Sequence, residues 1–294
     1  MTSAEAGDVV PNSAGRARPK LTAPTNACDC HMHIYDAARF PPSRPASRMQ
    51  SDAAVAEYRR LQRRTGTTRT VVVTPAVYAT DNRVTLDAIA QLGNACGVAV
   101  VTPDVSDAEL GALDRGGVRG IRFTQFDPAT AVTTLDMIEP LSKRVTALGW
   151  HVQIHVRGDQ IAAAADLWPR LPSPIVFDHL GRLPQPAGID HPAYGIIRRL
   201  IDQGRTWVKV SGAYLDTKIG PPTYADATRV AQAFVAAAPE RMVWGSDWPH
   251  PTETAKPDDA VLFDLLSDWA PDAATRRRIL VTNPETLYGF GQPG

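Results

Sequence analysis

Residues 27–36 read "ACDCHMHIYD" and place two histidines, two aspartates and two cysteines within ten positions. Side chains on a β-strand alternate between two faces, so we expect Asp29, His31 and His33 to share one face. The two cysteines then lie on the other face, and we interpret them as buried core residues turned toward a helical layer. Two histidines at positions i and i+2 of one strand can bind a single metal ion. The segment therefore predicts a strand with polar chemistry on one face.

Seven further β-branched runs follow this strand, and Ala/Leu-rich amphipathic segments separate them. The eight predicted strands span residues 28–34, 69–74, 97–101, 117–123, 150–156, 174–179, 206–211 and 241–247. Strands that alternate with helices are typical of a parallel sheet, and eight such units favour a closed barrel. We therefore predict an α/β fold in one domain, a (β/α)8 TIM barrel over residues 26–294. A polar N-terminal segment, residues 1–25, is predicted to be a flexible tail.

The composition favours a small-molecule ligand over a macromolecular one. The 294 residues include 31 basic and 31 acidic side chains, with no basic block, so we expect neither a nucleic acid nor a membrane as partner. The three cysteines and the absence of an apolar export segment near the start predict a cytoplasmic protein with reduced thiols. We expect no organic cofactor, and a homo-oligomer stays an open alternative.

Polar residues collect where the predicted strands end, which is where the active sites of such barrels lie. Strand one ends in His31 and His33, strand five in His155, strand six in His179 and strand eight in Asp247. A single histidine at such a place is more often a hydrogen-bonded structural residue. Four of them with an aspartate predict a shared active site. The candidate substrate contacts are Arg122, Arg157, Arg182, Tyr78, Asn82, Trp248 and His250.

Other polar residues of the predicted strands allow a structural interpretation. His151 lies lower on strand five than His155, and we interpret it as structural. Lys209 on strand seven either fills the barrel interior or approaches the site, and the sequence leaves both alternatives open.

The motifs of the chain resemble, in order and spacing, one branch of the amidohydrolase superfamily. The motifs are "DCHMH" at 29–33, "TPAVYATDNRVTLDAIAQLG" at 74–93, "GGVRGIRF" at 116–123, "GWHVQIHV" at 149–156, "PIVFDHLGR" at 174–182, "VWGSDWPHP" at 243–251, "PDDAVLFDLL" at 257–266 and "ILVTNPETLYGF" at 279–290. The branch contains 2-pyrone-4,6-dicarboxylate lactonases, sulfomuconolactone hydrolases and galactarolactone isomerases. The resemblance implies an amidohydrolase-type barrel over residues 26–290.

The resemblance also implies roles for individual residues. It implies that His31, His33 and His179 polarise a lactone carbonyl, that Asp247 activates water, and that Arg122 holds a substrate carboxylate. These roles agree with physical chemistry, because water needs a base near neutral pH and a developing oxyanion needs a fixed donor. The predicted activity is hydrolysis of a carboxylated or otherwise anionic lactone. A lactone isomerase or decarboxylase is the alternative, and a catalytically silent binding protein is a weaker one.

Two departures from the lactonase pattern affect the substrate and the metal. The segment "FTQFDPATAVTTL", residues 123–135, carries no second basic residue, so we expect a substrate with a different pattern of anionic groups from the dicarboxylate. His155 replaces a tyrosine and restores a ligand of metal-dependent amidohydrolases. We therefore expect one divalent ion, with zinc the first choice, and metal-free chemistry on the same residues as the alternative. The predicted ligands are His31, His33, His155, His179 and Asp247.

Overall fold

The computed structural model describes residues 9–44 and 49–290 and contains one eight-stranded parallel sheet in the order β1 to β8. The strands are β1 (Cys28–Met32), β2 (Arg69–Val73), β3 (Ala95–Ala99), β4 (Val118–Thr124), β5 (His151–His155), β6 (Ile175–Phe177), β7 (Thr206–Val210) and β8 (Met242–Trp244). Each observed strand overlaps one of the eight predicted strands in sequence. The predicted TIM barrel is therefore confirmed.

Helices fill the connections between the strands and form the outer layer. They are α1 (Val55–Thr65), α2 (Arg83–Leu92), α3 (Asp107–Arg115), α4 (Ile138–Val145), α5 (Gly158–Ala163), α6 (Pro192–Asp202), α7 (Ala225–Ala237), α8 (Asp259–Trp269), α9 (Ala273–Arg277) and α10 (Asn283–Tyr288). Strand β3 begins two residues earlier than predicted, because Gly93 at φ 77° ends α2 after Leu92. None of the helices in the described ranges has the length and apolar character that crossing a membrane requires.

Strand β1 does not keep a regular pleat, and the predicted division of its faces is wrong in part. Cys28 and Cys30 pack with Val71, Val176 and Val243, which come from strands on different sides of the barrel, so both sulfurs face its interior. Asp29 points the other way and accepts a hydrogen bond from Tyr58 of α1. The pairing of β1 with β2 shifts register between Asp29 and Met32, which allows His31 to face inward directly after Cys30. The prediction that the cysteines are buried core residues is confirmed.

The barrel closes where the end of β8 meets β1. The backbone N–H of Asp247 donates to the carbonyl of His31, and that of His33 donates to the carbonyl of Trp248, both at 2.8 Å. The Asp29 carboxylate accepts the backbone N–H of Ser246 at 2.9 Å and its hydroxyl at 2.6 Å. Burial raises the pKa of Asp29 to about 6. We call this junction, formed by residues 29–33 and 245–248, the seam.

The polar segment before β1, predicted to be a flexible tail, has fixed contacts from residue 9 onward. Val10 is buried, and the carbonyl of Pro11 accepts a hydrogen bond from the indole of Trp248. The Arg64 guanidinium donates to the carbonyl of Ala17. Residues 9–25 thus cover the outer side of the seam, and residues 1–8 lie outside the described residues.

The seam predicts that Gly245→Ala destabilises the fold. A Cβ atom at Gly245 would lie 2.6 Å from the Cβ of His31 and 2.8 Å from its backbone nitrogen, so β1 would have to move. We expect the free energy of unfolding to fall by about 1–3 kcal/mol, measured by chemical denaturation. Gly111→Ala in α3 is the control, because a Cβ there only touches the end of Arg115. It should raise stability by up to about 1 kcal/mol. Equal stability of Gly245→Ala and the parent protein would contradict the close packing of the seam.

Candidate active site

Three histidine rings and one carboxylate meet at the C-terminal end of the barrel. His31 and His33 come from β1 and the residue just beyond it, His179 follows β6, and Asp247 follows β8. The Oδ1 atom of Asp247 lies 3.5 Å from Nε2 of His31 and 3.4 Å from Nε2 of His33. It lies 3.7 Å from Nε2 of His179. All four residues are buried, so the structure brings together four of the residues that the sequence singles out.

The outer nitrogen of each ring is tied to a neighbour that orients the ring. The Nδ1–H of His33 donates to the carbonyl of Val73 at 2.8 Å, so neutral His33 presents a lone pair at Nε2. His179 Nδ1 lies 2.9 Å from the hydroxyl of Ser211. Burial lowers the pKa of His179 to about 4, against the opposing effect of Asp247. Burial, aided by Lys209, lowers the pKa of His31 well below its usual range. Both rings are therefore neutral near pH 7.

Asp178 and Lys209 lie directly below these rings. The Lys209 ammonium donates to the carbonyl of Cys30 at 2.8 Å and to Gln153 Oε1 at 2.7 Å, and it lies 3.1 Å from Nδ1 of His31. The Asp178 carboxylate accepts from Arg122 Nε at 3.0 Å. Burial raises the pKa of Asp178, but His31, Arg122 and Lys209 together hold it well below its usual range. Both alternatives for Lys209 thus apply, because it fills the interior and also contacts the site.

A chain of hydrogen bonds runs behind Asp247. The hydroxyl of Tyr214 donates to Asp247 Oδ2 at 2.6 Å. Because this proton is committed to Asp247, the Tyr214 oxygen accepts from Nδ1–H of His250 at 3.0 Å. His250 Nε2 lies 3.2 Å from Oδ2 of the buried Asp259, at the start of α8. Tyr214 therefore occupies one oxygen of Asp247 and leaves Oδ1 directed at the three histidines.

The backbone at these residues adopts conformations that most side chains avoid. His179, Arg182 and Asp247 have φ values of 47°, 48° and 61°. Left-handed conformations of residues other than glycine cost free energy and persist only where surrounding contacts impose them. Here they turn the side chains after β6 and β8 back over the mouth of the barrel.

The donor set fits one divalent metal ion. His31, His33 and Asp247 each offer a ligand atom within 4.8 Å of the others, and His31, Asp178 and His179 form a second such group. An ion at Nε2 of His31 requires the proton of that ring at Nδ1, where it would donate to Asp178 Oδ1 at 3.3 Å. That oxygen is buried and has no hydrogen-bond partner among the described residues, so a partner is ready for this tautomer.

His155 does not belong to either group of donors within the described ranges. Its Nε2 accepts a hydrogen bond from Arg182 Nη1 at 3.0 Å, and its ring stacks on Phe126 at an interplanar angle of 15°. Arg182 in turn donates to both oxygens of Asp216, at 2.6 and 3.1 Å. The predicted metal ligand His155 is therefore engaged with Arg182 instead, because the guanidinium occupies the lone pair that an ion would need.

A cavity of about 340 Å³ opens above the four converging residues. His33, His179 and Asp247 form its floor, and Arg122, His155 and Arg182 are among its walls. Within the described residues, Arg122 makes a single hydrogen bond, through Nε to Asp178, and its terminal nitrogens Nη1 and Nη2 are available to a ligand. This arrangement places an anion-binding group beside the candidate base.

Five predicted substrate contacts lie outside the lining of this cavity. The Arg157 guanidinium donates to the carbonyl of Phe126, and the Tyr78 hydroxyl accepts the backbone N–H of Asp36. Asn82 joins Thr74 and Val100, which end β2 and β3. Trp248 packs on the N-terminal segment, and His250 contacts Tyr214. All five adjoin a site segment in sequence, but Arg157 is exposed and the other four side chains are buried in the surrounding layer.

Several residues of the site were not chosen from the sequence. Tyr214, Ser211 and Asp216 follow β7, a strand end to which no active-site residue was assigned. The signal was the segment "SGAYLD", residues 211–216, which carries polar side chains where a parallel strand ends. His151, by contrast, lies where expected, buried against Tyr288 below the site. Burial lowers its pKa to about 3, in agreement with a structural role.

Comparisons with known proteins agree with this geometry. A family model described as Amidohydrolase matches residues 28–290. The 4-sulfomuconolactone hydrolase of Rhizobium radiobacter is 33% identical over 98% of this chain and 99% of its own. The 2-pyrone-4,6-dicarboxylate hydrolase of Comamonas testosteroni is 32% identical over 94% of each chain. The D-galactarolactone isomerase of Agrobacterium fabrum is 32% identical over 92% of this chain and 93% of its own.

A solved structure gives the same result for the fold. The crystal structure of ATU3138 from Agrobacterium tumefaciens, in its apo form, has a TM-score of 0.86 and 30% sequence identity. The match covers 96% of this chain and 99% of that chain. The resemblance inferred from the ordered motifs is confirmed.

The contact of Tyr214 with Asp247 predicts a selective effect of Tyr214→Phe. Loss of a hydrogen bond to a charged group should lower kcat by about ten- to a hundredfold, while KM changes little because the hydroxyl faces away from the cavity floor. Steady-state kinetics on a lactone substrate measures both constants. Tyr194→Phe is the matched control, since Tyr194 packs on Phe234 on the outer side of the barrel. An unchanged kcat for Tyr214→Phe would remove Tyr214 from the positioning of Asp247.

Proposed function

We propose that this chain, which belongs to the amidohydrolase family, opens an anionic lactone by the attack of water. The observation that carries the proposal is the position of Asp247 Oδ1, which lies 3.4–3.7 Å from three histidine nitrogens at the floor of the cavity. The relatives named as lactone hydrolases support the same reaction class.

Asp247 is the proposed general base. Burial raises its pKa, but His179, His33 and His31 together hold it well below its usual range, so the carboxylate is ionised at neutral pH. Its Oδ1 removes one proton from the attacking water, whose oxygen bonds to the lactone carbonyl carbon. The bond from that carbon to the ring oxygen then breaks, and Asp247 returns the proton to the departing ring oxygen.

The role proposed for each histidine depends on which of its two ring nitrogens carries the proton. When Lys209 donates to Nδ1 of neutral His31, the proton of that ring lies on Nε2 and points toward the cavity floor. His179 can present Nε2–H in the same way when Ser211 donates to its Nδ1. Neutral His33 cannot, because its proton is committed to Val73. Without a bound ion, we therefore assign stabilisation of the developing oxyanion to His31 and His179. We assign orientation of the water to His33, whose Nε2 lone pair can accept a hydrogen bond from it.

The substrate anion is proposed to bind Arg122. Its Nε is fixed by Asp178 at 3.0 Å, so the guanidinium plane is held before the ligand arrives. Arg182 is a weaker anchor, since Asp216 already neutralises it through two hydrogen bonds. A small anionic lactone is thus the proposed partner of the site.

We also propose that the site holds one divalent ion, with zinc the first choice for a set of nitrogen and oxygen donors. The residues that would hold it are His31, His33, His179 and Asp247. When bound, such an ion lowers the pKa of water and polarises a carbonyl, and it would replace the Nε2–H groups of His31 and His179 in that role. Lactone isomerisation is the second candidate, because the relative named D-galactarolactone isomerase is as similar as the hydrolases.

Asp247→Asn tests the proposed reaction. Asparagine keeps the volume of the side chain but cannot take a proton from water, so kcat should fall by about 10²–10⁴-fold. Mass spectrometry of the product on a panel of carboxylated lactones distinguishes the candidates, because hydrolysis adds one water and isomerisation leaves the mass unchanged. Retention of more than about a tenth of kcat would exclude Asp247 as the base.

Elemental analysis tests the proposed metal. Protein that has never met a chelator should contain about one equivalent of zinc or a similar ion, and His33→Asn should lose most of it. His155→Tyr should keep it, because the His155 lone pair already serves Arg182. Less than about a tenth of an equivalent, with activity unchanged by chelator, would instead support the metal-free alternative.

A further inference from the structure

The cavity continues past Arg122 into a second space, which we call the side chamber. It has a volume of about 360 Å³ and extends over the ends of β2, β3 and β4. Arg122 lines both the side chamber and the catalytic cavity, so a group bound to its terminal nitrogens lies at the junction. The walls that only the side chamber has include Thr74, Ala79, Val100, Ala131, Val132 and Thr133.

We infer that the side chamber binds an uncharged alkyl arm of the substrate, so that the preferred lactone carries one anionic group and a short apolar substituent. That the ligand is a lactone rests on the proposed function. That it carries an apolar arm and a single charge rests on the lining of the side chamber.

The charges around the side chamber disfavour a second anionic group. Its only cationic side chains within the described ranges are Arg44, Arg122 and Arg182, and the catalytic cavity shares all three. The walls add the carboxylates of Glu253 and Asp216. Once a first anion occupies Arg122, the carboxylates of Asp127, Asp216 and Glu253 outnumber the remaining cations Arg44 and Arg182 in this lining. A second substrate carboxylate would therefore be desolvated in surroundings without excess positive charge.

The hydroxyl groups of Thr74 and Thr133 are engaged with the protein. Thr74 Oγ1 donates to Asn82 Oδ1 at 2.8 Å and lies 2.7 Å from the hydroxyl of Thr85. Thr133 Oγ1 accepts the backbone N–H of Thr124 at 3.0 Å. What Thr74 offers to a ligand is its methyl group, alongside the side chains of Val100 and Val132. The walls that only the side chamber has thus offer a ligand mainly apolar groups; two further threonines, Thr124 and Thr252, line the part that it shares with the catalytic cavity.

Calorimetry with simple carboxylates tests the inference without any turnover. The probes are butyrate, hexanoate and adipate, which share one carboxylate for Arg122 and differ in what enters the chamber. Hexanoate has two more methylenes than butyrate, and burial of each should raise the affinity about fourfold. Hexanoate should therefore bind at least about tenfold more tightly than butyrate. Adipate, of equal length, should bind at least about tenfold more weakly than hexanoate, because its second carboxylate has no partner. Equal affinity for hexanoate and adipate, or no detectable binding of either, overturns the inference.

Val132→Arg should reverse this preference, because it supplies a cation inside the chamber. We expect adipate to bind this variant more tightly than hexanoate. Ile219→Arg is the matched control, since it adds the same charge at a side chain that is 56% exposed and outside the lining. Val132→Thr, which keeps the shape of the side chain, should weaken hexanoate only and serves if the arginine variant does not fold. A parent-like preference in a folded Val132→Arg protein would contradict the assignment.

Kinetics on matched lactones separates the two proposals. A monocarboxylated lactone with a propyl arm should exceed its unsubstituted and dicarboxylated counterparts in kcat/KM by at least about tenfold. Turnover without this order would leave the proposed reaction intact and overturn the side chamber assignment. Tight hexanoate binding without turnover of any lactone would overturn the proposed reaction alone.

Discussion

The seam between β8 and β1 is the contact on which the site depends, because the two strands that close the barrel also carry its chemistry. The backbone hydrogen bond of 2.8 Å from Asp247 to the carbonyl of His31 fixes the proposed base relative to the first histidine. Asp29 holds the adjacent Ser246 from the outer side. Gly245 leaves the space that this approach needs. Closure of the barrel and the approach of Asp247 to His31 therefore depend on the same contacts.

The interior below the site carries charges that compensate one another. Asp178 lies between Arg122 and Lys209, and Lys209 also donates to the carbonyl of Cys30 and to Gln153. A buried charge that lacks a partner costs several kcal/mol, so removal of Asp178 would leave both Arg122 and Lys209 without their counter-charge. The same network sets the tautomer of His31, since Lys209 and Asp178 compete for its Nδ1. The polar floor is thus both a structural element and the support that orients the reacting groups.

The sequence was sufficient for the barrel and for the convergence of His31, His33, His179 and Asp247, because both follow from strand periodicity and from the rule that such sites lie at strand ends. It failed where a local irregularity changed the direction of a side chain. The register shift in β1 turned the cysteines inward and Asp29 outward, and no residue type in "CDCHM" marks such a shift. His155 lies at the expected strand end, yet its role depends on Arg182, whose left-handed backbone the sequence "HLGR" does not disclose. Trp248 and His250 were assigned to the substrate from their neighbourhood alone, and tertiary contacts place both in the supporting layer.

The proposed reacting groups and the walls that contact the substituent come from different strand ends, which explains how one scaffold can accept several lactones. The proposed reacting groups come from β1, β6 and β8, whereas the apolar walls of the side chamber come from segments that follow β2, β3 and β4. Arg122 at the end of β4 belongs to both sets, since Asp178 fixes one edge of its guanidinium and a ligand can occupy the other. Changes in the β2, β3 and β4 loops can therefore alter the substituent that fits without moving Asp247 or the histidines. The side chamber and the catalytic floor are linked through Arg122, and the position of the substrate anion sets how far the carbonyl reaches toward the base.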